Sequence, residues 1–304
     1  MSVEIIGPEA ESHLDWIWLT DALEAGHRLP RAEVADTFLY RGKDTLLTRS
    51  AWIDGLGLAV KAATVFPGNP MAGVPMINGA VTLYDNAHGR LEAIVDFHLV
   101  TKWKTAGDSL LAARKLARPE ARRILVVGAG NVARSMIAAY SAAFPGARFT
   151  VWNRSAEPAH ALAKATGADV ADTLESAVRG AEIIATTTMA TTPLIHGAWL
   201  QPGTHVDLIG AYRPDMREAD DEALRRARLF VDARATTIHH IGEIKDPIAR
   251  GVISEADILA DYYDLPSGRF SRTSAEEITI CKNGGGAHLD LMAAQYILAA
   301  WRGR

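Results

Sequence analysis

An apolar run ending in a glycine turn, ILVVGAGNVA from Ile124 to Ala133, most restricts what this chain can fold into. Ile124–Val127 reads as a buried strand and NVARSMIAAYSAAF as the helix that follows. Gly128-Ala129-Gly130-Asn131-Val132-Ala133 therefore fits G-x-G-x-x-A at a strand-to-helix turn. Each position has a physical task there. Gly128 permits the tight turn, and Gly130 lets a pyrophosphate approach the backbone. Ala133 keeps helix close to strand, while the N–H groups opening the helix face the phosphate. The motif alone is a weak signal. A second strand, ARFTVWNR, about twenty residues further on supplies the context a dinucleotide site requires.

HALAKATG, ADVAD, LESAVRGA, EIIATTT and THVDLIGAY continue the alternation, and RLFVD adds a strand. This predicts a doubly wound parallel sheet with helices on both faces. Its second strand ends Trp152-Asn153-Arg154-Ser155, where an NAD site usually offers Asp or Glu to the ribose 2′-hydroxyl. No acid stands there. Arg154, flanked by Asn153 and Ser155, suits a 2′-phosphate that a carboxylate would repel, so NADP(H) is the favoured cofactor. If Arg154 is instead a solvated loop residue, NAD(H) binds as well. Thr187, closing EIIATTT, completes the expected cofactor set.

The nucleotide motif starts more than a hundred residues into the chain, so something of domain size precedes it. Its first forty residues read as helical, with Leu14, Ile17, Trp18 and Ala22 at helical spacing. DTLLTRSAWIDGLGLAVKAATVF then reads as strand, glycine turn, strand, and VTLYD-NAHG-RLEAIVDF as a hairpin. These are antiparallel signals, and they predict an α+β sheet with helices packed on it. TAGDSLLAARKLA reads as a helix. The last segment, AHLDLMAAQYILAAWRGR, is an amphipathic helix with Leu289, Met292, Tyr296, Ile297 and Trp301 on one face, expected to return to the first domain.

Composition bounds the partners. With 304 residues, 48% hydrophobic, a net charge of −4 gives no polybasic stripe, so neither nucleic acid nor an anionic membrane is an expected partner. The acidic N-terminus lacks the basic head and apolar run of a leader, and no stretch of about 18 apolar residues predicts a span. One cysteine, Cys281, cannot close an internal disulfide, which fits a reducing cytoplasm. His239-His240 lacks a second ligand pair at useful spacing, so no metal is expected.

Two lysines stand out. Lys61 lies inside the strand GLAVKAATVF with Ala59 and Ala63 on its face. A lysine in so apolar a strand is costly unless its ammonium finds a partner or its pKa falls; the other reading is an edge-strand lysine directed to water. Lys104 lies in TKWKTAGD, read as the opening of a helix whose N–H groups and ammonium could receive a carboxylate; the other reading is a charged capping segment.

Taken together, VKAATVFPGNP, GVPMINGAVTLYDNAHGRLEAIVD, TKWKTAGDSLLAARKLA, ILVVGAGNVA and ITICKNGGGAHLD resemble the ornithine cyclodeaminase/mu-crystallin family of nicotinamide-dependent enzymes, in the same order from about Leu46 to Asp290. The resemblance implies a Rossmann domain, residues 119–286, inserted in a discontinuous substrate and dimerisation domain, residues 1–118 plus 287–304. It also implies a homodimer, with Lys61 at the substrate carboxylate and reacting nitrogen. Lys104 stands where the family usually has arginine and lacks the bidentate fork. An upstream arginine usually joins them, with Arg31 and Arg49 as candidates.

The chain departs from the cyclodeaminases in LIGAYRPDMREAD, where Tyr212 stands in place of an aspartate that handles the substrate's amino groups. A phenol, neutral at pH 7, cannot serve as that carboxylate. The segment instead resembles the family's imine reductases. The resulting expectation is NAD(P)H-dependent reduction of a small imino acid, a cyclic ketimine carboxylate such as Δ1-pyrroline-2-carboxylate, to a cyclic amino acid. The alternatives are an ornithine cyclodeaminase or amino-acid dehydrogenase, and a non-catalytic nicotinamide-binding protein.

Overall fold

A computed structural model of the chain describes residues 3–303. It divides into two compact units, Met1–Lys104 with Gly286–Arg304, and Thr105–Gly285. The division falls inside a helix rather than after it.

The first unit is built on a six-stranded sheet: β1 (Glu4–Ile6), β2 (Glu33–Arg41), β3 (Asp44–Ile53), β4 (Gly57–Val65), β5 (Ile77–Tyr84) and β6 (Leu91–Asp96), in the order β1-β6-β5-β4-β3-β2. All neighbours are antiparallel except β1 and β6. The β3–β4 turn needs glycine: Gly57 has φ +125, and a Cβ there would lie 2.7 Å from the Tyr84 carbonyl oxygen. In the NAHG turn the Asp85 carboxylate accepts from the backbone N–H groups of Ala87, His88 and Arg90. β4 buries every second residue, Gly57, Ala59, Lys61 and Ala63. Against the sheet packs the C-terminal helix Ala287–Arg302, which lies along β3, β4 and β5, and on that helix packs α1 (Trp16–Gly26), whose first N–H groups Asp15 caps.

Three expectations change. Residues 33–41 form strand β2 rather than helix, because Glu33–Arg41 pairs residue for residue with β3 across the turn at Gly42, φ +60. The helix α2 (Phe97–Leu116) begins directly after β6, with Asp96 accepting from the Leu99 N–H at 2.7 Å. Lys104 is therefore its eighth residue, and its N–H is spent inside the helix rather than offered at an N-terminus. β4 is an interior strand and Lys61 is buried, which removes the solvated edge-strand reading.

The second unit is an eight-stranded parallel sheet: β7 (Arg123–Val127), β8 (Arg148–Trp152), β9 (Asp169–Val170), β10 (Ile183–Thr186), β11 (His205–Leu208), β12 (Ala227–Val231), β13 (Ile258–Ala260) and β14 (Ile278–Lys282). Its order, β13-β12-β14-β11-β10-β7-β8-β9, reverses direction between β7 and β10. α3 (Asn131–Ala143) and α4 (Ala156–Thr166) follow β7 and β8. The strands read as continuous apolar runs because both faces are covered, with Leu125, Val127, Ile184, Val206, Leu208 and Ile280 in one cluster. This is the doubly wound Rossmann architecture. Among the described residues no helix is long and apolar enough to cross a membrane.

In the first unit His27 and His288 meet edge to face, ring centroids 5.5 Å apart, both buried. Burial pulls His27 down to about 4, against its hydrogen bond to the Leu23 carbonyl and helped by Arg31. An unfolded histidine titrates near 6.5, so between pH 6.5 and 4 the unfolded chain binds the proton and the folded one does not. Stability from this group is present above pH 6.5 and is lost as pH falls toward 4. His27→Gln should therefore flatten the decline in unfolding free energy over that window by on the order of 3 kcal/mol, read from denaturant melts at several pH values. An unchanged slope would contradict it.

Candidate functional site

The carboxyl ends of β7, β8 and β10, where the strand order reverses, enclose a cleft of about 560 Å³ in the second unit. Open α/β sheets bind their ligands at such a place. Gly128, Ala129, Gly130, Trp152, Asn153, Arg154 and Thr187 line it, together with the loop Thr188–Thr192. Gly128 has φ +112, and a Cβ there would stand 2.4 Å from Thr187 Oγ1, so local packing demands glycine. Gly130 differs: a Cβ there would meet nothing within 4 Å. The fold does not need that glycine, whereas a ligand approaching the backbone would. Asn131 and Val132 open α3, whose N-terminus has no side-chain cap. Arg154 is exposed and makes no hydrogen bond or ion pair to the described residues, and Asn153 Nδ2 donates to the Ser155 carbonyl.

The neighbouring wall is fixed from beneath by a residue that sequence reasoning left without a role. Glu218 is fully buried, and one of its carboxylate oxygens accepts from the N–H and hydroxyl of Thr188 at 2.8 and 2.7 Å. The other accepts from the N–H groups of Gly210 and Ala211 at 2.8 and 3.1 Å. The loops leaving β10 and β11 are thus tied to one carboxylate. Glu243 in turn accepts from the backbone N–H groups of Glu218 and Ala219, and burial beside Glu218 pushes it up to about 7. Buried Lys282 donates to the Leu208 and Asn283 carbonyls and offsets these acids. Tyr212, two residues past Gly210, is 58% exposed with the Arg213 guanidinium over its ring. Cys281 is buried, and burial pushes its thiol well up, so it stays protonated.

In the first unit the cross-strand register lines up Asp36, Arg49, Lys61 and Val81 on one face of β2, β3, β4 and β5. Arg49 and Lys61 are direct partners, two like charges facing one another, an arrangement that costs stability unless carboxylates offset it. Asp36 grips Arg49 with contacts of 2.7, 3.0 and 3.1 Å. Lys61 Nζ donates to Asp290 on the C-terminal helix at 2.9 Å and to the Thr101 hydroxyl on α2 at 2.8 Å, and lies 4.7 Å from the Phe97 ring centroid. Burial pulls the Lys61 pKa down, Asp290 resists, and Lys104 and Arg49 add to the lowering. Lys104 is itself buried and makes no hydrogen bond or ion pair to the described residues. Of the candidate carboxylate ligands, Lys61, Lys104 and Arg49 share one electrostatic neighbourhood, whereas Arg31 lies exposed in the segment before β2.

Comparison with known proteins places the chain. Residues 51–304 match the model of the ornithine cyclodeaminase/mu-crystallin family. The chain belongs to this family. A Δ1-pyrroline-2-carboxylate reductase of Paracoccus denitrificans is 50% identical over 303 residues, covering 97% of this chain and 96% of the relative. The ketimine reductase mu-crystallin of Mus musculus is 34% identical, covering 80% and 76%. Among solved structures, an archaeal alanine dehydrogenase dimer with bound NAD superposes with a TM-score of 0.89 at 26% identity, covering 100% and 97%.

Within the family fold, the sequence pattern missed Asp36, Thr101, Asp290 and Glu218. Asp36 lies in the segment read as helix; the other three act through partners 40, 229 and 30 positions away, and no local pattern announces such pairings. Glu218→Ala should leave up to four buried or half-buried donors without an acceptor and lower stability by about 2–4 kcal/mol. Amide hydrogen exchange should speed up at Thr188, Gly210 and Ala211 first. A variant with unchanged melting and exchange at those amides would show that the clamp is not needed.

Proposed function

We propose that this chain reduces a small cyclic ketimine carboxylate, Δ1-pyrroline-2-carboxylate or its six-membered homologue, with NADPH, giving a cyclic amino acid such as proline. The observation that carries this reading is the 50% identity, nearly end to end, with a Δ1-pyrroline-2-carboxylate reductase. The geometry agrees with it. Open space over Gly130, the turn at Gly128 and the uncapped first turn of α3 fit a pyrophosphate. Gly128–Val132 would hold that group, Asn153, Arg154 and Ser155 the adenosine ribose, and Thr187 the cleft wall. When bound, the reduced nicotinamide supplies a hydride to the C=N carbon.

The chain's own residues supply the rest. Lys104, which makes no ion pair to the described residues, and Arg49 receive the carboxylate. Lys61 donates a proton to the ring nitrogen, which makes the C=N carbon the better electrophile, and recovers one from solvent afterwards. Imine, hydride and one proton sum to the secondary amine. Tyr212 leaves the chain without the acid that cyclodeamination requires, which favours reduction over ammonia release.

Arg154 favours NADPH over NADH, because a guanidinium with no partner in the described chain can pair with the 2′-phosphate. The homodimer reading is supported by the edge strand β2, which exposes Phe38, Leu39 and Tyr40 by 47%, 62% and 73%. Long apolar edges of this kind are usually covered, here by a second copy of the chain. A lone, buried, unreactive thiol fits a cytoplasmic setting.

Purified protein should consume NADPH with Δ1-pyrroline-2-carboxylate and release no ammonia from ornithine with NADP+. Lys61→Met should lower kcat/KM by at least about 100-fold, the low end for a general acid, while the NADPH Kd stays within about twofold. Stoichiometric ammonia from ornithine, or a Lys61→Met variant within tenfold of the parent, would overturn the assignment. Separately, Arg154→Ala should weaken NADPH by about 1–3 kcal/mol and leave NADH unchanged, as read by fluorescence titration of both cofactors. Equal losses, or a parent protein that prefers NADH, would refute the 2′-phosphate contact.

A further inference from the structure

Lys61 is held from a distance of 229 residues by a carboxylate that the reduction chemistry above does not use. Asp290 lies in the first turn of the C-terminal helix and is almost wholly buried, 1% exposed. One oxygen accepts from Lys61 Nζ at 2.9 Å, and the other, Oδ2, has no hydrogen-bond partner. A buried carboxylate with one oxygen unsatisfied is expensive, and it persists only where nearby positive charge stabilises it.

The groups facing Lys61 come from every element packed against β4. β3 contributes Arg49, whose own partner is Asp36 on β2, and β5 contributes apolar Val81. α2 contributes the Phe97 ring, the Thr101 hydroxyl and the Lys104 ammonium. The C-terminal helix contributes Asp290. His288 on that helix feels Lys104 and Arg49, but burial holds it well below its ordinary value, so it adds no charge near neutrality. Asp290 is thus the one carboxylate among the described residues that touches Lys61. Two cations, Arg49 and Lys104, press on the ammonium from other sides, and burial also disfavours its charge.

We propose that Asp290 is a positioning residue for imine reduction: it keeps the Lys61 ammonium charged and fixed in a row otherwise crowded with cations. The proposal rests on the reading of Lys61 as proton donor. Without Asp290 the same burial and the same cations would hold the Lys61 pKa lower still, and a neutral amine cannot protonate the imine. Thr101 fixes a second Nζ direction, but a neutral hydroxyl cannot replace the charge. In return the cluster keeps Asp290 ionised: burial works to raise its pKa, and Lys61, Lys104 and Arg49 together outweigh it.

The test follows Lys61 directly and through turnover. In protein carrying 13Cε-labelled lysine, the Lys61 resonance, assigned by its loss in Lys61→Met, is titrated with pH in the parent and in Asp290→Asn. Asp290→Asn should move the Lys61 midpoint down by at least one pH unit. The alkaline limb of kcat/KM for Δ1-pyrroline-2-carboxylate should follow, giving at least tenfold loss above the new midpoint and near-parental rates below it. Asp290→Glu, which keeps the charge, should return both limbs toward the parental position even if its absolute rate is lower; it also tests the proposal should Asp290→Asn fold poorly. An unmoved Lys61 midpoint in Asp290→Asn, or a uniform loss at all pH values, would overturn the role of Asp290. A midpoint that moves while the rate limb stays in place would overturn Lys61 as the proton source, and with it the catalytic half of the proposal.

Discussion

Two cations facing each other across neighbouring strands set the terms for the first unit. Arg49 and Lys61 are register partners on β3 and β4, and both side chains are removed from most solvent. Such a pair is tolerable only if carboxylates reach it, and the chain provides them from its two extremes. Asp36 comes from the edge strand β2, and Asp290 from a helix that begins only at Ala287. The C-terminal helix must therefore lie on the sheet formed by the first hundred residues. This gives a physical reason, beyond apolar burial, for a domain made from both ends of the sequence.

The second unit depends on a different device. In a parallel sheet the loops leaving the strands carry the ligand site, yet loops are the least restrained part of such a fold. Here the loops after β10 and β11 share a single buried carboxylate, Glu218, and are drawn close enough that Gly210 has no room for a side chain. A Cβ at Gly210 would lie 2.1 Å from the Thr188 carbonyl oxygen. Glu243 secures the backbone of Glu218, and Lys282 offsets the acids from below. Rigidity is thereby placed one layer behind the cleft.

Much of this was legible in the sequence where the signal is local. The glycine turn, the strand–helix alternation from Arg123 and the NAHG hairpin depend on neighbours a few positions apart and are present as read; the C-terminal helix is present too, but Ala287–Ala294 are buried on every side rather than on one face. The errors share a cause. EVADTFLYR carries strand-favouring residues, but helical spacing runs up to it, and its strand state is decided by pairing with β3. The start of α2 is hidden in the sequence because FHLV is apolar enough to pass for the end of β6. For Lys61 local pattern left two readings open, and only strand order, a non-local property, decided between them. Lys104 was recognised for its charge; its lack of an ion-pair partner became visible only with every neighbouring element in place.

The charges in the first unit also bear on which small molecules such a site accepts. Arg49, Lys61 and Lys104 contribute three positive charges, Asp36 and Asp290 two negative ones, and His288 is held neutral, so the group carries one net positive charge. A cyclic imine carboxylate brings one negative charge and a nitrogen neutral until it is protonated, which balances that excess. Ornithine at neutral pH carries two ammonium groups and one carboxylate, and it would add to the positive charge. In a low-dielectric setting that excess, two positive charges where the imine carboxylate leaves none, costs far more than it would in water. Within the first unit, charge alone therefore favours a ligand that brings one carboxylate and a single proton over a diamino acid.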